Sequence, residues 1–225
     1  MLKVGFITIG QSPRVDVTGD FKDLVNKGLE IIEAGALDGL SLEYIRIKLY
    51  PSDKETLYVS RLASGEEVTI SREKLIPLLQ KRILELNAKG VDLLVILCSG
   101  EFPRFKSEKP VVYPTKLLSG VVSSIALNGK LAVLIPRKEQ VDYAYSKWSK
   151  LTEKLIVKPA SPYKASDEEF KNTLYEIRKE DPQLLVMDCV GYSLRHKSMA
   201  YEILGKPVIT TRGVIKAFLS ELIEL

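Results

Sequence analysis

The chain has only two cysteines, and each closes the same short phrase. Asp92-Leu93-Leu94-Val95-Ile96-Leu97-Cys98-Ser99-Gly100 is answered by Gln183-Leu184-Leu185-Val186-Met187-Asp188-Cys189-Val190-Gly191. An apolar run thus ends on a thiol, and glycine follows two residues later. Two thiols disposed about one carbon acid can act as base and conjugate acid, one removing the α-proton while the other returns a proton to the far face. Such chemistry inverts a stereocentre without a cofactor. The plainer reading is that buried cysteine usually serves as a small hydrophobe. The matched placement argues against it, because a packing residue has no reason to recur at the equivalent site of a repeat.

The elements that must hold these thiols follow from the same repeat. Lys109-Pro110-Val111-Val112 has its counterpart in Lys206-Pro207-Val208-Ile209, and the opening Lys3-Val4-Gly5-Phe6-Ile7 in Lys130-Leu131-Ala132-Val133-Leu134-Ile135. Short apolar strands alternate with helical periodicity almost throughout, which predicts an α/β fold with parallel sheets. We expect two flavodoxin-like, doubly wound lobes related by the repeat. The first comprises residues 1–114 plus about 211–225, and the second residues 115–210. Strands are expected at 2–9, 42–49, 91–97, 111–112, 131–135, 155–158, before Cys189 and at 208–209. Helices are expected from Pro13, with Ser12 as its cap and Val15, Phe21, Leu24, Val25 and Leu29 at helical spacing, and over about 71–87, 115–127, 139–150, 167–179, 194–204 and 214–222. Residues 56–70 read as an inserted β-hairpin turning at Ala63-Ser64-Gly65-Glu66.

In open parallel sheets, ligands bind beyond the carboxyl ends of the strands. Cys98 and Cys189 fall at such ends, so lobes that face each other would present both thiols to a shared cleft. A nearby helix N-terminus would favour the thiolate. An enediolate-like intermediate needs N–H and hydroxyl donors. By position the candidates are Thr8, Gln11 and Ser12 after the first strand, Ser99 and Gly100 beside one thiol, Val190, Gly191 and Tyr192 beside the other, and Thr210 and Thr211 at a further strand end. Tyr58 and Arg61 on the hairpin receive little weight, and His196 is expected on a solvated helix face.

Other classes are excluded or unsupported. A single histidine removes most zinc and histidine-based schemes, so no metal is expected. Neither G-x-G-x-x-G nor a P-loop occurs, so no nucleotide cofactor is called for. The 33 basic and 29 acidic residues are interspersed, giving +4 overall, which is no nucleic-acid footprint but suits a small anionic metabolite. No apolar run approaches the roughly 20 residues of a membrane span, and Met1-Leu2-Lys3 enters a strand pattern without a signal-peptide core. A cytoplasmic protein is expected, and the sequence leaves room for a homo-oligomer.

Together, Thr8-Ile9-Gly10-Gln11-Ser12-Pro13-Arg14, Ser60-Arg61-Leu62 with Gly65, Cys98-Ser99-Gly100-Glu101-Phe102 and Asp188-Cys189-Val190-Gly191-Tyr192 resemble the AroM family over essentially the whole chain. That family is similar to the aspartate/glutamate racemase superfamily, with its hydantoin racemases, maleate isomerases and arylmalonate decarboxylases. The resemblance implies two flavodoxin-like lobes with a thiol from each, Cys98 and Cys189, an anion-binding loop at Thr8 to Ser12, and small residues around a substrate carboxylate at Ser99-Gly100 and Val190-Gly191. The racemases typically carry Asn-Thr after the first cysteine and Thr-His after the second. Their replacement here removes side chains that hold an amino acid, so the resemblance leaves racemisation, isomerisation, decarboxylation and binding without turnover open.

Overall fold

A computed structural model describes residues 1–223, which divide into two compact units: Met1–Thr115 with the chain from Lys216 onward, and Lys116–Ile215. The first unit runs β1 (Leu2–Thr8), α1 (Val15–Thr18), a 3-10 turn (Gly19–Phe21), α2 (Lys22–Val25), β2 (Leu29–Gly35), α3 (Leu42–Lys48), β3 (Leu57–Arg61), β4 (Glu67–Ser71), α4 (Arg72–Ala88), β5 (Leu93–Leu97) and β6 (Val111–Val112). The chain passes between units along α5 (Pro114–Ser123). The second unit continues with β7 (Leu131–Ile135), a 3-10 turn (Lys138–Gln140), α6 (Val141–Trp148), β8 (Leu155–Pro159), α7 (Asp167–Lys179), β9 (Leu184–Met187), α8 (Leu194–Leu204) and β10 (Val208–Thr210). Helix α9 (Thr211–Leu222) begins there and returns to the first unit.

Each unit is built on a four-stranded sheet. The orders are β2-β1-β5-β6 and β10-β9-β7-β8, and every pairing is parallel. Numbered within its own unit, each sheet reads 2-1-3-4, the doubly wound order of flavodoxin-like folds. The repeat persists in single hydrogen bonds. Asp92 N–H donates to Lys3 O and Gln183 N–H to Lys130 O, both at 2.8 Å; Leu94 N–H donates to Pro110 O at 2.9 Å and Leu185 N–H to Pro207 O at 3.0 Å. Strands β5 and β7 are buried along their whole length, as unpunctuated apolar runs require when helices cover both faces.

Two expectations are corrected. The segment from Leu42 to Leu49 is not a strand. Ser41 caps α3 by accepting the Tyr44 N–H, and Ile45 and Leu49 are buried one helical turn apart while Tyr44 and Ile47 stand 48% and 65% exposed. The apparent alternation combined buried and solvated residues. Nor is there one helix from Val15 to Leu29. Val17, Phe21 and Leu24 pack inward on three short turns, whereas Val15 and Val25 are exposed; Leu29 opens β2, which pairs with β1 from Leu2↔Leu29 onward. Arg14, not Ser12, occupies the cap position of α1.

The hairpin β3–β4 forms a separate two-stranded sheet in the first unit, and Ser71 at its end caps α4 by accepting from Lys74 N–H. Among the described residues, no helix is long and apolar enough to cross a membrane.

Candidate functional site

Both cysteines stand just beyond the third strand of their own sheet, Cys98 directly after β5 and Cys189 two residues past β9. Both are half-buried thiols outside any disulfide. In each, the sulfur accepts the backbone N–H of the glycine two residues on, from Gly100 to Cys98 Sγ and from Gly191 to Cys189 Sγ, both at 3.3 Å. An N–H donated to sulfur stabilises negative charge there. The two thiols thus share a strand end, a turn and a donor.

The glycines are required because a tyrosine lies over each. A Cβ on Gly100 would sit 2.6 Å from Tyr58 Oη, and one on Gly191 would sit 2.6 Å from both Tyr163 Oη and Pro162 Cγ. Tyr58 comes from β3 and is 4% exposed, and its hydroxyl donates to Glu101 O at 2.8 Å. Tyr163 follows β8 on a turn in which Ser161 Oγ accepts from the N–H groups of residues 163 and 164.

The Thr8–Ser12 loop lies at the neighbouring strand end, since β1 pairs with β5. Thr8 is 1% exposed, and its hydroxyl accepts from Gly10 N–H and from Arg14 Nη1. Gln11 is a staple: Nε2 donates to Leu37 O and Leu40 O, while Oε1 accepts from Ala63 N–H on the hairpin. Ser12 is tied to Asp38, its N–H donating to Oδ1 at 2.7 Å and its hydroxyl to Oδ2 at 2.6 Å. Arg61 O accepts from Gln11 N–H. The hairpin therefore joins the two loops at this sheet's switch point, and Tyr58 and Arg61, of little weight by sequence, make the joins. Ser60, 1% exposed, approaches from the same strand, and its Oγ would lie 2.5 Å from a Cβ on Gly10.

Around Cys189 the supports are charged. Asp188 Oδ2 accepts from Lys147 Nζ and Trp148 Nε1, each at 2.8 Å, and both members of the ion pair are 6% exposed. Arg212, 3% exposed, donates from Nε to Val190 O and from Nη2 to Gly191 O, so a buried guanidinium holds the turn that carries the thiol. Thr210 Oγ1 accepts from Gly213 N–H in the first turn of α9, and Thr211 Oγ1 donates to Met187 O at the end of β9. Val190 and Tyr192 are buried, and Tyr192 donates to Ala160 O at 2.7 Å. Burial, with the nearby Cys189 and Asp188, pushes its phenol well above the usual range and keeps it a donor.

His196 is not on a solvated face. It is half-buried, its Nδ1 accepts from Ser193 N–H at 3.1 Å, and its ring lies 4.8 Å from that of Phe170. Burial, with Arg212 and Arg195 nearby, holds its pKa below the ordinary histidine value.

The structure gathers Thr8, Gln11, Ser12, Cys98, Ser99 and Gly100 at the strand ends of the first unit. Cys189, Val190, Gly191, Tyr192, Thr210 and Thr211 gather at those of the second. Sequence reasoning missed Tyr163, Arg212 and the Lys147–Asp188 pair. Arg212 directly follows two chosen threonines, and Tyr163 lies in the connection after the second strand of its sheet, as Tyr58 does in the other unit. The described residues include no group of three or more His, Cys, Asp or Glu able to hold a metal ion.

Comparisons with solved structures agree on the fold. Aspartate racemase of Picrophilus torridus is similar with a TM-score of 0.66 at 13% identity, over 99% of this chain and 94% of that one. Glutamate racemase of Aquifex pyrophilus gives 0.60 at 17%, over 99% and 84%, and an unliganded arylmalonate decarboxylase 0.59 at 12%, over 99% and 92%. At these identities the likeness is one of fold. No curated protein matches the chain in sequence. The family model described as AroM protein matches residues 4–223, nearly the entire chain, and the protein belongs to the AroM family.

Proposed function

We propose that this protein is a cofactor-independent racemase, isomerase or decarboxylase of a small carboxylate, with Cys98 and Cys189 as its acid–base pair. One observation carries the reading: the two thiols recur at equivalent strand ends, each accepting the N–H of the glycine two residues on at 3.3 Å. Packing alone gives no reason for the same sulfur contact to occur twice.

In the proton-transfer form, one thiolate takes the α-proton. The C–H bond breaks, S–H forms, and the electron pair moves onto the substrate carboxylate as an enediolate. The second thiol then gives its proton to carbon and is left as the thiolate. In the decarboxylating form, the carbon–carbon bond breaks, CO2 departs with the electron pair left on carbon, and a thiol protonates it. Donors already in place when charge develops cost no reorganisation at that moment. Thiols serving this chemistry need a reducing compartment such as the cytoplasm.

A metabolite-binding protein without turnover is the second reading. Gln11, Ser12, Thr210 and Thr211 all direct side-chain polar atoms to protein groups, so in either reading they shape the loops that would hold the carboxylate. Solvent-deuterium incorporation into a panel of small carboxylates separates the two. Turnover predicts exchange into at least one compound, abolished in Cys98→Ala and in Cys189→Ala with both variants still folded. Exchange that survives both changes excludes the thiols as the acid–base pair. A compound that raises the melting temperature without exchanging or losing CO2 supports the binding protein.

A further inference from the structure

Each thiol loop carries a tyrosine over the glycine that donates to sulfur, and the two phenols differ in burial. Tyr58 is sealed at 4% exposure, beyond the reach of a ligand, and serves the architecture of its loop. Tyr163 is half-buried on a surface turn, and its Oη would lie 2.6 Å from a Cβ on Gly191, the residue whose N–H reaches Cys189 Sγ. The buried guanidinium of Arg212 holds the carbonyl of the same glycine. Thiol, phenol and cation therefore converge on one turn.

We infer that the Tyr163 hydroxyl contacts substrate, donating a hydrogen bond to the carboxylate oxygen on which negative charge grows while Cys189 exchanges a proton with the adjacent carbon. A neutral phenol suits that task. It binds a carboxylate as a donor without neutralising it as a cation would, and it binds the more strongly charged enediolate oxygen better still. Tyr163 would then be a catalytic residue of the Cys189 half, with Tyr58 its architectural counterpart beside Cys98. The inference rests on the carboxylate reading above.

The test compares alkylation of Cys189 by iodoacetate, which carries a carboxylate, with that by neutral iodoacetamide. Rates are read from the Cys189 peptide by mass spectrometry and normalised to glutathione. The wild type and Tyr58→Phe should both favour iodoacetate. Tyr163→Phe, which keeps the ring over Gly191 and removes one hydrogen bond, should lower that preference about fivefold. Tyr163→Gln, which discards the ring but keeps a donor, should retain part of it even if the turn loosens. Preference undiminished in Tyr163→Phe overturns the inference and leaves the carboxylate reading standing. No preference in the wild type overturns the carboxylate reading, and the inference with it.

Discussion

The two thiol loops are alike around sulfur and unlike in what holds them. Each has Cys Sγ accepting a glycine N–H and a tyrosine closing over that glycine. The Cys98 loop is met by the Tyr58 hydroxyl on Glu101 O, the Tyr58–Phe102 ring pair at 5.4 Å and the hairpin stitched to Gln11. The Cys189 loop is held by the Lys147–Asp188 pair and by Arg212. The expected helix N-terminus does not serve both. Cys189 is followed closely by α8, capped at Ser193, whereas the described residues 98–110 contain no helix.

Breaking the charged support should have the largest effect. Lys147→Met leaves a buried carboxylate without its cation, and removing one partner of a buried ion pair costs about 3–5 kcal/mol. Urea denaturation should show that loss, and a change within error would mean the pair is solvated. Next come the glycines. Gly100→Ala drives a methyl into a buried, hydrogen-bonded ring and should cost about 1–3 kcal/mol. Gly191→Ala meets the half-buried Tyr163 turn, which can give way, and should cost less. Equal melting temperatures for the two variants would remove the distinction drawn between the tyrosines. Tyr58→Phe should cost about 1 kcal/mol by stranding the Glu101 carbonyl.

The smallest effect is a pH dependence confined to the second half. His196 has its pKa lowered by burial first, then by Arg212 and Arg195. The unfolded chain therefore binds more protons than the folded one below the ordinary histidine value of 6.5. Stability from this group is full above 6.5 and is lost as pH falls toward the folded value. The urea midpoint of the wild type should fall further than that of His196→Gln on moving from neutral to mildly acidic pH. Parallel curves would show that the ring titrates as in the unfolded chain.

Much of this was legible in the sequence because it is local or periodic. The apolar run ending in Cys98 reads as a buried strand from its composition, and Asp167–Lys179 reads as a helix from its periodicity, to which the structure adds a capping box at Ser166. Repetition of Cys-x-Gly after two apolar runs marks both turns in the sequence itself. What escaped depends on residues far apart in the chain. Nothing local says that Tyr58 covers Gly100, that Arg212 reaches the carbonyls of residues 190 and 191, or that Lys147 finds Asp188. Ile45 and Leu49 read as parts of a strand because the exposed Ile47 between them completes an i, i+2, i+4 alternation that only burial dispels.

The central claim is that the two thiols form one functional pair. It is tested most directly by alkylating the folded wild type with iodoacetamide across a pH series, following the Cys98 and Cys189 peptides separately, with and without each of a panel of small carboxylates. The account predicts that both thiols react in the folded protein and that a carboxylate which protects one protects the other at the same concentration. Thiols inert until the protein unfolds, or a carboxylate that protects one and leaves the other untouched, would contradict it.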